Sequence, residues 1–216
     1  MATPVPSLLV VRHGQSLWNA VAKWQGLADI DLTDLGRRQA KVAARALSES
    51  PHTFGHVMSS TLKRAAETAA IIATHLELAT PSTDSRWREA DAGPWQGLTP
   101  DEIRAQWPGF LERNRRPEGF EPYEEVLERV LAASAEVLGH IEPSSPTIVV
   151  SHSGVIRTLQ RHFTGGGDRT PNLGGVWLHL VHDTVRLGHV FDPKAAPPSS
   201  GFSEDPGPDG TRRSST

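Results

Sequence analysis

Four apolar residues in a row, Leu8, Leu9, Val10 and Val11, run directly into Arg12, His13 and Gly14. A run of that length and branching is too short for a membrane span and fits a strand buried on both faces of a parallel sheet. From 34 to 47 the period changes. Leu35, Val42, Ala43, Ala46 and Leu47 fall on one helical stripe, with Thr33 where an N-cap belongs. Residues 56–60 read as a second short strand, and 61–76 as a second amphipathic helix through Leu62, Ala65, Ala69, Ile72 and Leu76. The stretch 85–120 is irregular, with Trp87, Trp95 and Trp107 among Pro94, Pro108 and Pro117, and predicts one short helix near Pro100–Gln106. Pro122 opens a long helix in which Tyr123, Val126, Leu127, Val130, Leu131, Val137 and Leu138 recur at three and four, ending near Gly139. A third strand at 147–150, a helix at 154–163 and an alternating hairpin at 176–191, turning near His182 and Asp183, complete the pattern.

Strand, turn and helix recur without an internal repeat. The expected class is therefore α/β: a three-layer fold with a mostly parallel central sheet flanked by helices, and a lid-like insertion at 98–120. Residues 1–192 form a single expected domain. From Pro193 to Thr216 the chain is rich in Pro, Gly and Ser with almost nothing to bury, and a disordered tail is expected.

Composition narrows the partners. A chain of 216 residues, 37% hydrophobic and 22% charged, can bury a core, while a net charge of -3 offers no overall attraction to nucleic acid or anionic membrane. No apolar run reaches membrane-spanning length and no secretory-type leader opens the chain, so a soluble cytoplasmic protein is expected. The absence of cysteine removes disulfides, thiolate metal ligands and cysteine nucleophiles. Ten histidines raise the question of a metal, yet no HExxH or comparable pair is present. His52, His56, His75 and His140 sit in surface patterns and read as solvated or capping side chains. Neither metal nor cofactor is expected.

The three strands each end in a polar cluster: Arg12-His13, Ser59-Ser60 with Arg64 one turn on, and Ser151-His152-Ser153-Gly154. In open α/β sheets the binding crevice lies outside the carboxyl ends of the strands, so these clusters converge. Two arginines, two histidines and the amino ends of two helices suit a compact dianion, and phosphate fits best. A histidine attacks only when neutral, and neighbouring arginine charge lowers its pKa, so the field that holds phosphate also keeps the ring deprotonated. A departing alkoxide needs a proton, for which "WREADAGPWQG" offers Glu89 and Asp91.

These motifs carry a resemblance. "VVRHGQSLWN", "SSTLKRAAETA", "READAGPWQGLT" and "VVSHSGVIR" resemble, in order, the signatures of the histidine phosphatase superfamily, in the branch of the cofactor-dependent phosphoglycerate mutases and many small bacterial phosphatases. "WQGLADIDLTDLGRRQA" and "PEGFEPYEEVLERV" match the usual intervening segments, so the likeness spans about 7–160. It implies a phosphomonoester hydrolase acting on a small phosphorylated substrate through a phosphohistidine. In that reading His13 is the nucleophile, Arg12, Arg64 and His152 hold the phosphoryl oxygens, and Glu89 is the general acid that later activates water. Asn19 adds a hydrogen bond to phosphate, and Gln25, Gly26 and Ser153 lie on the substrate side. There are two departures. Ser153 stands where many relatives have glycine, and Pro122 where the segment after Gly119 usually has serine, so Glu121 reads as helix-start charge.

Rival chemistries are weaker. "DIDLT" at 29–33 fits an aspartate-nucleophile, magnesium-dependent phosphatase, but no apolar strand precedes it. Ser153 lacks the glycine two positions earlier that a nucleophile elbow needs. A binding module without turnover would be expected to lack His13 or Glu89, and both are present. Within the family, mutase-type phosphoryl transfer is the alternative; the short cover at 98–120 favours water as acceptor. Arg104, Arg113, Arg115 and Arg116 in that cover read either as contacts to a second anionic group or as a solvated helix end, and Trp24 and Trp107 as packing or mouth residues. The hairpin at 176–191 offers an edge for a homodimer.

Overall fold

The computed structural model describes residues 4–194; the remainder of the expected tail lies outside the described residues. Strands β1 (Ser7–Arg12), β2 (His56–Ser59), β3 (Ser82–Thr83), β4 (Thr147–Ser151), β5 (Gly175–Val181) and β6 (Thr184–Phe191) form one sheet in the order β3-β2-β4-β1-β5-β6. The pairs β1–β4, β2–β4 and β2–β3 are parallel, whereas β5 runs antiparallel to β1 and β6 antiparallel to β5. Helices α1 (Leu17–Ala20), α2 (Asp34–Ser48), α3 (Lys63–His75), α4 (Pro100–Gln106), α5 (Tyr123–His140) and α6 (Ser153–Thr164) surround it. The expected three-layer, mostly parallel arrangement is present. No helix among the described residues is long and apolar enough to cross a membrane.

The layers follow from strand alternation. Successive residues of β1 point to opposite faces, so Leu9 and Val11 pack with Ala43, Ala44 and Leu47 of α2 and Ala65, Ala69 and Ile72 of α3. Leu8 and Val10 pack with Val126, Val130 and Ala133 of α5 and Val155, Ile156 and Leu159 of α6. Every residue of β1 and β4 is buried, which is why both read as unbroken apolar runs. The small stripe of α2 and α3 lets those helices lie close to the sheet and to each other.

Local chemistry sets the turns. Thr33 caps α2, accepting from the Gly36 amide at 3.0 Å. The hairpin turns through His182 and Asp183, both left-handed (φ 47° and 57°), as a two-residue loop matched to strand twist requires. A Cβ on Gly14 would sit 2.5 Å from the Gly36 carbonyl oxygen, so glycine lets the loop after β1 rest on the first turn of α2.

The irregular stretch forms its own small core of Ala92, Trp95 and Ile103, against which Trp24, Trp107, Phe110 and Phe120 pack. Trp24 and Trp107 are thus packing residues, each meeting Trp95 edge-on at 5.0 and 6.4 Å. The covering arginines divide. Arg104 pairs with Asp101 and Glu112, Arg115 lies over Phe110, and the Arg116 guanidinium is caged by Trp24, Trp95 and Phe120 at 5.3–5.5 Å.

Candidate active site

The carboxyl ends of β1, β2 and β4 bring Arg12, His13, Arg64 and His152 into one buried cluster. The His13 amide donates to the Ser151 carbonyl, continuing the β1–β4 ladder one step beyond the strand, while Asn172 Nδ2 donates to the His13 carbonyl. The His13 ring is oriented by its own neighbour: Nδ1 lies 2.6 Å from the Gly14 carbonyl oxygen. A carbonyl only accepts, so Nδ1 carries the proton and Nε2 is left with its lone pair. Burial first, then the charges of Arg64 and Arg12, hold the His13 pKa well below 6.5. The ring is therefore neutral at pH 7, as a nucleophile must be.

His152 stands at the N-cap position of α6, its ring making no capping bond, and lies with its ring centroid 5.1 Å from that of His13. Its Nε2 is 2.7 Å from Ser60 Oγ, and its buried Nδ1 has no hydrogen-bonding partner. Burial and the charge of Arg64 push its pKa well below 6.5 too. A neutral ring whose Nε2 accepts from Ser60 presents Nδ1–H as a donor to a ligand beside His13.

The arginines are fixed by carbonyl groups. Arg64, fully buried on the first turn of α3, donates Nη1 to Ala28 and Nη2 to Gly26 at 2.6 and 2.9 Å; Arg12 donates Nη1 to Thr170 at 2.8 Å. The Nε of each is buried without a partner, and no carboxylate lies within ion-pair distance of either among the described residues. Desolvation lowers both pKa values to about 10, Arg169 adding to the effect on Arg12. Both remain cationic at neutral pH. Glu89 acts on both guanidiniums and Asp29 on Arg64 only from beyond ion-pair distance; two buried cations so weakly offset are costly unless an anion joins them, so the cluster has the electrostatics of a dianion site.

Glu89 closes the cluster from the side. Its Oε2 accepts from the Gly154 amide in the first turn of α6 at 3.1 Å and its Oε1 from the Ala90 amide at 3.0 Å. A Cβ at position 154 would collide with Glu89 Oε1, so glycine there admits the carboxyl to the site. Asp91, the other carboxyl, folds back onto the Gly93 amide at 2.8 Å and serves the turn.

The other expected substrate-side residues are brought near in different ways. Asn19 Oδ1 accepts from the Ser16 amide in a capping box, so only its amide donors are left to face a ligand. Gln25 Oε1 accepts from Ser16 Oγ at 2.6 Å, and Gly26 acts through its carbonyl on Arg64. Ser153 occupies the first position of α6 beside His152. One expectation is corrected: of the two helix amino ends assigned to the anion, that of α3 is taken by Asp29, whose Oδ1 accepts from the Lys63 amide at 2.7 Å. The same contact places "DIDLT" in a loop after α1 rather than at a strand end. Glu121 is also corrected. It is no free helix-start charge but a partly buried partner of Arg129 at 2.8 Å, its side chain about one-sixth exposed. Sequence reasoning named Ser60 and Ser151 only as strand-end polar groups and missed Thr68 of α3, whose Oγ1 accepts from the Gly14 amide at 3.1 Å, and the loop residues Thr170 and Asn172. A hydroxyl directly after an apolar strand was the available signal for the two serines; the loop residues had none.

A shallow apolar groove of about 620 Å³ between α2 and α3, lined by Val42, Ala70 and Ile71 among others, lies away from these strand ends and carries no converging donors.

Comparison with known proteins agrees with this geometry. The pattern of the histidine phosphatase superfamily (branch 1) matches residues 8–176. Glucosyl-3-phosphoglycerate phosphatase of Mycolicibacterium vanbaalenii is 34% identical over 83% of this chain and 86% of its own length. Phosphoglycerate mutase-like protein 4 of Arabidopsis thaliana is 39% identical over 70% and 68%. The solved mycobacterial glucosyl-3-phosphoglycerate phosphatase with VO3 superposes with a TM-score of 0.73 at 30% identity, over 84% of this chain and 97% of that one. A phosphoglycerate mutase from Bacillus anthracis, at 21% identity, shares the fold with a TM-score of 0.75 over 86% and 92%. With the family pattern running from β1 into β5 and relatives matching over most of their length, the chain belongs to the histidine phosphatase superfamily, branch 1.

Proposed function

We propose that the protein hydrolyses a small phosphorylated metabolite in two steps. His13 Nε2 attacks phosphorus, the P–O(alkyl) bond breaks, and Glu89 in its acid form protonates the departing alkoxide. Water then attacks the phosphorus of the phosphohistidine, giving a proton to the Glu89 carboxylate, the P–Nε2 bond breaks with its electron pair returning to His13, and inorganic phosphate leaves. Arg12, Arg64 and His152 Nδ1–H hold the phosphoryl oxygens and stabilise the charge spread over them. Asn19 and Ser153 supply further donors, while Gln25 and Gly26 shape the wall that carries Arg64. The single observation that carries the reading is the His13 Nε2 lone pair, freed by the Nδ1 bond to Gly14, beside two buried guanidinium groups that lack a carboxylate partner. The short cover at 98–120 supports water over a second substrate molecule as acceptor.

Two of the relatives are phosphatases of a phosphoglycerate derivative by name, so glucosyl-3-phosphoglycerate and the phosphoglycerates head the substrate panel, followed by sugar and nucleotide phosphates. Purified protein is expected to release phosphate from at least one of them with activity unchanged by a strong chelator, because the two buried arginines already supply the positive charge. Loss of turnover restored by magnesium would overturn the reading, and mutase activity without phosphate release would favour phosphoryl transfer between metabolites. A cytoplasmic setting, where such metabolites are held, goes with this reading. Edge strand β6, with Val190 65% exposed, is where a second copy would pair; light scattering at the monomer mass of 23.4 kDa would refute the homodimer.

A further inference from the structure

Glu89 stands on a turn with no regular secondary structure of its own, yet an acid must sit within hydrogen-bonding reach of the leaving oxygen. The backbone of that turn is gripped chiefly by one side chain from α5. Arg129 Nη1 donates to the carbonyls of Arg86 and Arg88 at 2.5 and 2.8 Å, Nη2 to the carbonyl of Glu89 at 3.3 Å and to Glu121 Oε2 at 3.0 Å, and Nε to Glu121 Oε1 at 2.8 Å. A guanidinium has five N–H donors in a fixed fork, and here every one has an acceptor. Glu121 extends the grip: its Oε2 accepts from the Asp91 amide and its own amide donates to the Asp91 carbonyl, at 3.0 and 2.9 Å. The turn is thus held on both sides of Glu89.

The Gly154 and Ala90 amides hold the Glu89 carboxyl itself, while the other side chains that bond the backbone before it reach only the start of the segment. Glu136, two turns along α5 from Arg129, pairs with Arg86, and Ser151 Oγ donates to the Trp87 carbonyl. Arg129 alone among these contacts the backbone of Glu89 itself. A lysine could reach one or two of the same acceptors but cannot reproduce the planar fork.

We propose that Arg129, braced by Glu121, is the positioning residue for the acid: it sets where the Glu89 carboxyl stands relative to His13 without touching substrate. This rests on the assignment of Glu89 as general acid. The consequence is a selective defect. Displacing the turn costs the proton delivered to a basic leaving group but leaves phosphoryl capture by His13, Arg12 and Arg64 intact.

The test is single-turnover phosphoryl transfer to His13 in the full chain, with an alkyl phosphate and with p-nitrophenyl phosphate, for Arg129→Lys, Glu121→Gln and Glu89→Gln, alongside melting temperatures. A misplacement of about 1 Å can cost on the order of 10²-fold. Arg129→Lys is therefore expected to lose roughly 10- to 100-fold with the alkyl phosphate and no more than about 3-fold with p-nitrophenyl phosphate. In the Glu89→Gln background it should add no further leaving-group selectivity. Glu121→Gln, which keeps the shape and removes the charge, should show the same selectivity in weaker form, and decides the matter if Arg129→Lys does not fold. Equal deficits on both substrates for the Arg129 and Glu121 variants, with Glu89→Gln selective, would overturn the proposal alone. Equal deficits for Glu89→Gln itself would remove the acid assignment, and the proposal with it.

Discussion

Replacing His13 with alanine is expected to abolish turnover, with a loss on the scale of 10⁶-fold that deleting a nucleophile can cause. The pocket would survive, because the arginines are fixed by the carbonyls of Gly26, Ala28 and Thr170 rather than by His13. The variant should therefore still bind phosphate while forming no phosphoenzyme. In the unaltered protein a base-stable, acid-labile phosphoryl group should be trapped on His13 by denaturation in alkali; mass spectrometry that placed the label on Asp29 or Asp31 would refute the assignment. The acid limb of kcat/KM adds a second check. Burial, Arg64 and Arg12 keep the ring neutral below the ordinary 6.5, so protonation of the nucleophile cannot reduce activity until the pH has fallen beneath that value. An imidazole titration followed by NMR that placed protonation of His13 at or above 6.5 would contradict the geometry.

The second large effect belongs to Glu89→Gln. An alkyl phosphate departs as a strongly basic alkoxide and needs a proton in the transition state, whereas p-nitrophenolate leaves without one. General acid catalysis is typically worth about 10²- to 10⁴-fold, so the variant should lose on that order with a sugar or glycerate phosphate and far less in phosphohistidine formation from p-nitrophenyl phosphate. Glutamine keeps the size of the side chain but only one accepting oxygen, so it can satisfy either Gly154 or Ala90 and not both. Burst kinetics are required, because the steady state also contains the water step in which Glu89 serves as base. A common deficit for both substrates in the burst would disqualify Glu89. Asp91 would then be the next carboxyl to test, despite its engagement with Gly93.

The framework of this protein was legible wherever burial is complete on both faces or falls on one helical stripe. Both kinds of signal locate the bounds of β1, β4, α2 and α5 to within a residue or two, but the stripe expected on α2 was turned: Leu35 and Val42 are exposed, and the face against the sheet is Gly36, Ala40, Ala43, Ala44 and Leu47. Elements of two and four residues, β3 and α1, leave no period to read. The arginines and histidines of the site were legible because they sit at strand ends and helix starts, whereas Glu89, on an irregular turn, was legible only through the motif around it. Their supports were not: Thr170 holds Arg12 through a backbone carbonyl, which any residue type could supply. Glu121 misled for a related reason. An acid just before a helix ordinarily favours its positive end, and nothing local signals a partner at Arg129, eight residues on in sequence and already inside the helix.

The two buried guanidiniums, neither of them in an ion pair, bear on how such an enzyme behaves as it works. Its product, inorganic phosphate, has the charge and shape of the group those cations await, and it needs no part of the organic substrate to be held. Their burial, with both Nε atoms closed off from solvent, means that ordinary salt screens the attraction poorly. Inorganic phosphate should then compete with every substrate this site accepts, so that the rate of hydrolysis falls as the surrounding phosphate pool fills and recovers as it is drawn down.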